Sequence, residues 1–163
     1  MMKAAFYDGQ GKMELRNHPI PKVGEKDILL DVKATGICGS DLQMNVDKDA
    51  PDDIPAGHEV AGLIVDIGKA VNPALLGKRV AVEIIGQGRA CTTCWYCRQG
   101  QFRSCMNMTA AEGGGFAEFM KRKAIGCYLV PDEISWQEAA LIEPLAVSIH
   151  GLRRGDMKGG EVV

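Results

Sequence analysis

Apolar residues fall in short runs along this chain, most of them punctuated by glycine. Asp8-Gly9-Gln10-Gly11 separates two such runs and predicts a β-hairpin. Ile28, Leu30, Val32 and Ala34 recur at every second position, which predicts a strand with those four side chains on one face. Over residues 60–67 and 79–85 the apolar residues are nearly continuous, the pattern of strands covered on both sides. Residues 116–120 and 127–130 predict two more strands, the second stopped by Pro131.

The last third changes period. Ser135 followed three residues later by Glu138 is a capping-box pattern and predicts a helix running through Ile142. Pro144 is expected to interrupt it, with residues 145–152 forming a second helical stretch. Lys158-Gly159-Gly160 predicts a turn, and Glu161-Val162-Val163 the opening of another strand. The expected fold is mainly β, of the α+β class: a barrel of short strands followed by helices.

Composition narrows the function classes. The chain has 163 residues, 46% hydrophobic and 25% charged, which suits one globular domain with a core. A formal net charge of -2 argues against nucleic acid as a partner, since phosphate binding wants a basic face. Lys121-Arg122-Lys123 and Arg153-Arg154 are short basic clusters that read as solvated surface. No apolar run approaches the roughly 20 residues of a membrane-spanning helix. The first eight residues lack a secretory apolar stretch, so the expected location is the cytoplasm, where clustered cysteines read as metal ligands before disulfides.

Four of the six cysteines fit that reading, in the pattern Cys91-x-x-Cys94-x-x-Cys97-x7-Cys105. Two-residue gaps let one turn present successive sulfurs to a single ion, and the longer gap lets a loop return and close the shell. Four thiolates satisfy tetrahedral zinc and leave no position open for chemistry, so the expected site is structural. Disulfides, which need an export signal, and an iron–sulfur cluster, which uses the same ligands, are the competing readings.

Cys38, His58, Glu59 and Glu143 form a second, scattered set of ligand types. Each alone reads as an ordinary residue. Together they match catalytic zinc, which takes about three mixed ligands and keeps one position open for a substrate oxygen. Ser40 is a natural first proton carrier, and Asp41 could accept from the free ring nitrogen of His58 and fix its tautomer.

At these residues the chain resembles the zinc-containing medium-chain dehydrogenase/reductase family. Gly36-Ile37-Cys38-Gly39-Ser40-Asp41, Gly57-His58-Glu59, the four cysteines, Gly114-Gly115-Phe116-Ala117-Glu118 and Glu143-Pro144-Leu145-Ala146 follow in the family's order over essentially the whole chain. The resemblance implies a GroES-like β-barrel catalytic domain over 1–155, with a zinc-binding lobe at about 88–110. It removes the iron–sulfur reading. It implies two zinc ions per chain, one on Cys91, Cys94, Cys97 and Cys105, the other on Cys38, His58 and either Glu59 or Glu143. Ser40 matches the family's proton-relay position. Glu-Pro-Leu-Ala resembles the branch of sorbitol, threonine and related polyol or sugar dehydrogenases. The implied substrate is a small-molecule alcohol or polyol, oxidised with NAD or NADP by a longer protein that forms homodimers or homotetramers.

Two departures qualify the likeness. Gln43 stands where the family often has histidine, so the outer end of the proton relay lacks its usual titrating group. Residues 156–163 read as the start of a nucleotide-binding Rossmann domain that is absent from the 163 residues, and Gly113-Gly114-Gly115 is no substitute, since no helix is expected to follow it. The fragment alone is therefore expected to be inactive in hydride transfer. The alternative function is a non-catalytic zinc-stabilised GroES-like binding module. Cys127 reads as a small core residue, His18 and His150 as surface, and Trp95 and Tyr96 as packing for the zinc lobe.

Overall fold

In the computed structural model of the chain, all residues are described except 45, 48–51, 85, 111, 162 and 163. Strands β1 (Met2–Tyr7) and β2 (Met13–His18) form the predicted antiparallel hairpin. Asp8 closes its turn by accepting from the backbone N–H groups of Gln10 and Lys12 at 2.8 and 2.9 Å. Strands β3 (Asp27–Gly36), β4 (Glu59–Ile67), β5 (Arg79–Val82), β6 (Phe119–Lys123) and β7 (Cys127–Leu129) form one antiparallel sheet in the order β6-β3-β4-β5-β7. The hairpin leans on this sheet through a bridge between Ala4 and Ala117 and a 2.7 Å bond from Ala5 N–H to the Phe116 carbonyl. Short helices α1 (Gly39–Met44) and α2 (Trp95–Arg98) precede α3 (Trp136–Ala140) and the longer α4 (Ile142–Arg154). The result is the mainly-sheet α+β fold expected.

The near-continuous apolar run of β4 is explained by packing on both faces. Val60 and Ile64 enter a cluster with Ile28, Leu30, Val80, Val82 and Met120. Ala61 faces the opposite way and meets Ala81, Ala139 and Ala140. Those small side chains let α3 lie close against the sheet. Arg79 adds a clamp from β5: its guanidinium donates to the Asp132 and Ile134 carbonyls at 2.6 and 2.5 Å and stacks 4.0 Å from the Trp136 ring centroid.

The structure departs from the sequence pattern at several points. Ala34 does not share a face with Ile28, Leu30 and Val32. The register shifts between Val32 and Ala34, pairing Val32 with Gly62 but Ala34 with Ala61, and an extra residue in a period-two element turns the next side chain over. Strand β5 ends at Val82, short of the expected 85, and Ile85 lies outside the described residues. Residues 116–118 follow β1, and the regular pairing with β3 begins at Phe119. The helix breaks at Leu141, whereas Pro144 sits inside the first turn of α4, where its missing N–H would have had no intrahelical partner. Arg122 is no solvated surface residue: it is 2% exposed, facing inward beside Met120. Gly160 turns the chain at φ +91°, and Val162 and Val163 of the expected last strand lie outside the described residues.

The capping box is present in full: Glu138 N–H donates to Ser135 Oγ at 3.2 Å and Ser135 N–H donates to Glu138 Oε2 at 2.8 Å. Replacing Ser135 with Ala should lower unfolding stability by about 1 kcal/mol in urea titration. Ser135→Asp, which can still cap, should lose much less.

Candidate metal centres

The antiparallel register of β3 and β4 assembles one group of ligands. Thr35 pairs with Val60 and Gly36 with Glu59, so β3 ends where β4 begins. Cys38 lies two residues beyond that end and His58 one residue before that start. The potential ligand atoms of Cys38, His58 and Glu59 accordingly all lie within 4.8 Å of one another. Glu59 is buried at 7% exposure, while Cys38 and His58 are half-buried, which leaves the group open on one side.

Asp41 organises this group from behind. It is 3% exposed, on α1. One carboxylate oxygen accepts the Cys38 backbone N–H at 2.8 Å. The other lies 3.4 Å from His58 Nδ1 and accepts the Tyr7 hydroxyl at 2.5 Å. With Nδ1 turned to the carboxylate, Nε2 is the nitrogen left for a ligand role. Exposed Ser40 places Oγ 3.4 Å from that Nε2. Tyr7 closes the chain of contacts: burial raises its phenol above the ordinary range, the bond to Asp41 adds to this, and the Gly57 N–H opposes it. Sequence reasoning passed over Tyr7, because an aromatic at the end of a strand reads as core.

Glu143 stands in the first turn of α4, outside that close group, yet near enough for its carboxyl to respond to His58 and Glu59. Burial is the main cause that raises its pKa, the Glu59 charge adding to it and His58 opposing it. Gln43 is exposed on the same short helix as Asp41.

The four cysteines form a second group, built locally. Their sulfurs all lie within 4.8 Å of one another, with Cys94–Cys97 at 3.5 Å and Cys91–Cys97 at 3.9 Å. A tetrahedral ion with bonds of about 2.3 Å to sulfur spaces its ligands about 3.8 Å apart, so the donor set suits zinc. None of the cysteines is in a disulfide. The Thr93 hydroxyl, then the Thr93 and Cys94 N–H groups, pull the Cys91 thiol down to about 5. Burial pushes the Cys97 thiol up to about 12. The lobe closes at a neck, where Arg89 and Thr109 exchange hydrogen bonds: Thr109 N–H to the Arg89 carbonyl and Arg89 Nε–H to the Thr109 carbonyl, both at 2.9 Å. Trp95, 63% exposed, packs edge-on against Tyr96 at 5.1 Å.

The remaining residues fall as follows. Cys127 packs against the core cluster, His150 is exposed on α4, and His18 is half-buried with its ring 5.4 Å from Phe6. The Gly113–Gly115 run braces the approach to His58: Gly114 N–H donates to the Pro55 carbonyl at 2.7 Å and Gly115 N–H to that of Gly57 at 3.0 Å.

A family model, the alcohol dehydrogenase GroES-like domain, matches residues 24–132. Sorbitol dehydrogenase of Bacillus subtilis is 34% identical over 99% of this chain and 48% of its own length. The 2R,3R-butanediol dehydrogenase structure from Bacillus subtilis superposes with a TM-score of 0.81 at 28% identity, covering 99% of this chain and 49% of that one. A structure assigned to a zinc-binding dehydrogenase from Sinorhizobium meliloti 1021, bound to NADP, gives 0.79 at 32% identity over 94% of this chain and 45% of its own. The chain spans about half the length of the curated relatives it matches.

A methyl group on Gly36 would collide with the Glu59 carboxylate and lie 3.1 Å from its Cβ. Gly36→Ala should therefore displace Glu59 and weaken divalent-metal binding by the Cys38 group at least tenfold in equilibrium titration. Binding by the four cysteines should stay unchanged.

Proposed function

Because the chain belongs to the alcohol dehydrogenase GroES-like family, we propose that it is the catalytic domain of a zinc-dependent dehydrogenase. Its substrate is a secondary alcohol, polyol or sugar-like compound, and the hydride acceptor is NAD or NADP. The observation that carries this reading is the convergence of Cys38, His58 and Glu59, with Asp41 and Ser40 arranged around His58. A binding module held together by its four cysteines has no need of this second, mixed and half-open group.

Cys91, Cys94, Cys97 and Cys105 would hold a structural zinc in a closed shell. Cys38, His58 and one carboxylate, Glu59 or Glu143, would hold a second zinc with a position to spare. A zinc ion held there would supply Lewis acidity to an alcohol oxygen, easing loss of the hydroxyl proton. The chain's own residues supply positioning and proton transfer. Tyr7 holds Asp41, and Asp41 holds the His58 ring and the Cys38 backbone. Ser40, exposed beside the ring, takes the substrate proton and passes it outward. Gln43 does not titrate, so that proton leaves to solvent without a histidine carrier.

Residues 156–163 would open a nucleotide-binding domain in a longer protein that assembles as a homodimer or homotetramer. Leu145, Val147, Ile149 and Leu152 are 57, 61, 41 and 51% exposed on α4, apolar surface that a second domain could cover. Similarity to sorbitol and butanediol dehydrogenases directs the first substrate panel to polyols and vicinal diols.

Elemental analysis of protein purified without chelators should find two zinc ions per chain. Cys94→Ser should lose one and Cys38→Ser the other. The longer protein should oxidise a member of the polyol panel with NAD or NADP, and Ser40→Ala should lower kcat by roughly 10²–10⁴-fold. Absence of turnover with both zinc ions bound would refute the reading. The 163 residues alone should give no turnover.

A further inference from the structure

Arg122 occupies a position on β6 that faces the interior, and it is 2% exposed. A guanidinium keeps its proton at ordinary pH, so burial leaves a charge that must be balanced. Among the described residues Arg122 forms no ion pair, and its buried Nε has no hydrogen-bond partner. Glu112, which attracts it electrostatically, is 46% exposed and sits 3.3 Å from Lys121 Nζ. The Cys127 thiol beside it is no counter-ion: burial pushes that group up to about 12. Arg89 adds a second positive charge within electrostatic reach.

Arg122 lines a cavity of about 130 Å³ whose walls include Tyr7, Ala56, Gly57, His58 and Gly114. No acidic side chain lines it among the described residues. At about 30 Å³ per water, the space holds roughly four waters. It is well below the roughly 300–1,000 Å³ of a pocket for a drug-sized ligand. A desolvated guanidinium without a hydrogen-bonded or ionic partner among the described residues, in a small cavity that no described carboxylate lines, has the makings of an anion site, since charge-assisted bidentate bonds are the strong ones.

We propose that this cavity binds a small oxyanion, a carboxylate or a phosphate, with the Arg122 guanidinium as its anchor. Cys38, Ser40 and Glu59 do not line the cavity, so the site adjoins the metal group without coinciding with it and does not rest on the proposed function. His58 is a shared wall. The anion can therefore be the acidic end of an alcohol substrate or a free anion, and the recognition chemistry is the same.

Calorimetric titration of the chain with acetate and with inorganic phosphate, at constant ionic strength in chloride, tests this without any metal. Saturable binding is expected, weakened at least tenfold in Arg122→Met. That variant has a matching length of side chain and no charge. Its Tm in chloride should equal or exceed the parent's, and it should lose the rise in Tm that acetate or phosphate gives the parent. No saturable binding, or equal anion-dependent Tm shifts in both proteins, overturns the proposal. With zinc bound, a 3-hydroxy acid that binds more tightly than acetate identifies a substrate's acid end. Binding no tighter than acetate identifies a free anion. A failure of zinc loading leaves the acetate and phosphate arms intact, so the two readings fail separately.

Discussion

The pairing of β3 with β4 is the constraint on which the mixed ligand group depends. Gly36 opposite Glu59 is one rung of a ladder fixed by burial of Ile28, Leu30, Val60 and Ile64 on one face and Ala34 and Ala61 on the other. A slip of one residue would exchange the two faces, so the hydrophobic core sets the register, and the register sets the distance from Cys38 to His58. The candidate ligands sit at the ends of strands whose middles carry the packing energy.

The two groups of ligands close by different physics. The four cysteines lie within fifteen residues, and a turn with one returning loop brings their sulfurs together. The mixed group is joined across some twenty residues of sequence by sheet formation, and Glu143 approaches from much farther along the chain. That approach requires α3 to lie close on the sheet, which Ala61, Ala81, Ala139 and Ala140 permit and the Arg79 clamp secures. Asp41 links the mixed group to the hairpin through Tyr7, so even β1 contributes to the orientation of His58.

This difference explains what could be read in advance. Local spacing alone made the cysteine group legible, and the hairpin turn and the capping box were legible for the same reason. Cys38, His58 and Glu59 were weak individually and became a group only through motif order, because their proximity is a property of the sheet. Ala34 was misplaced because a bulge leaves no mark in an alternating pattern. Pro144 was misread because its effect depends on whether it falls within the first turn of a helix, which composition does not tell. Tyr7 and Arg122 were missed for opposite reasons: one is an aromatic that also makes a polar contact, the other a charge that went inside.

The neck at Arg89 and Thr109 has a topological consequence. Residues twenty apart meet as direct hydrogen-bonded neighbours, so the segment between them begins and ends at the same point. The cysteine lobe is thus an excursion from a path that is already closed beneath it. Cys38 and His58 lie outside that excursion, at the adjoining ends of β3 and β4. In this architecture the four-cysteine lobe hangs from its own closed loop, and the group at Cys38, His58 and Glu59 is assembled by the sheet instead.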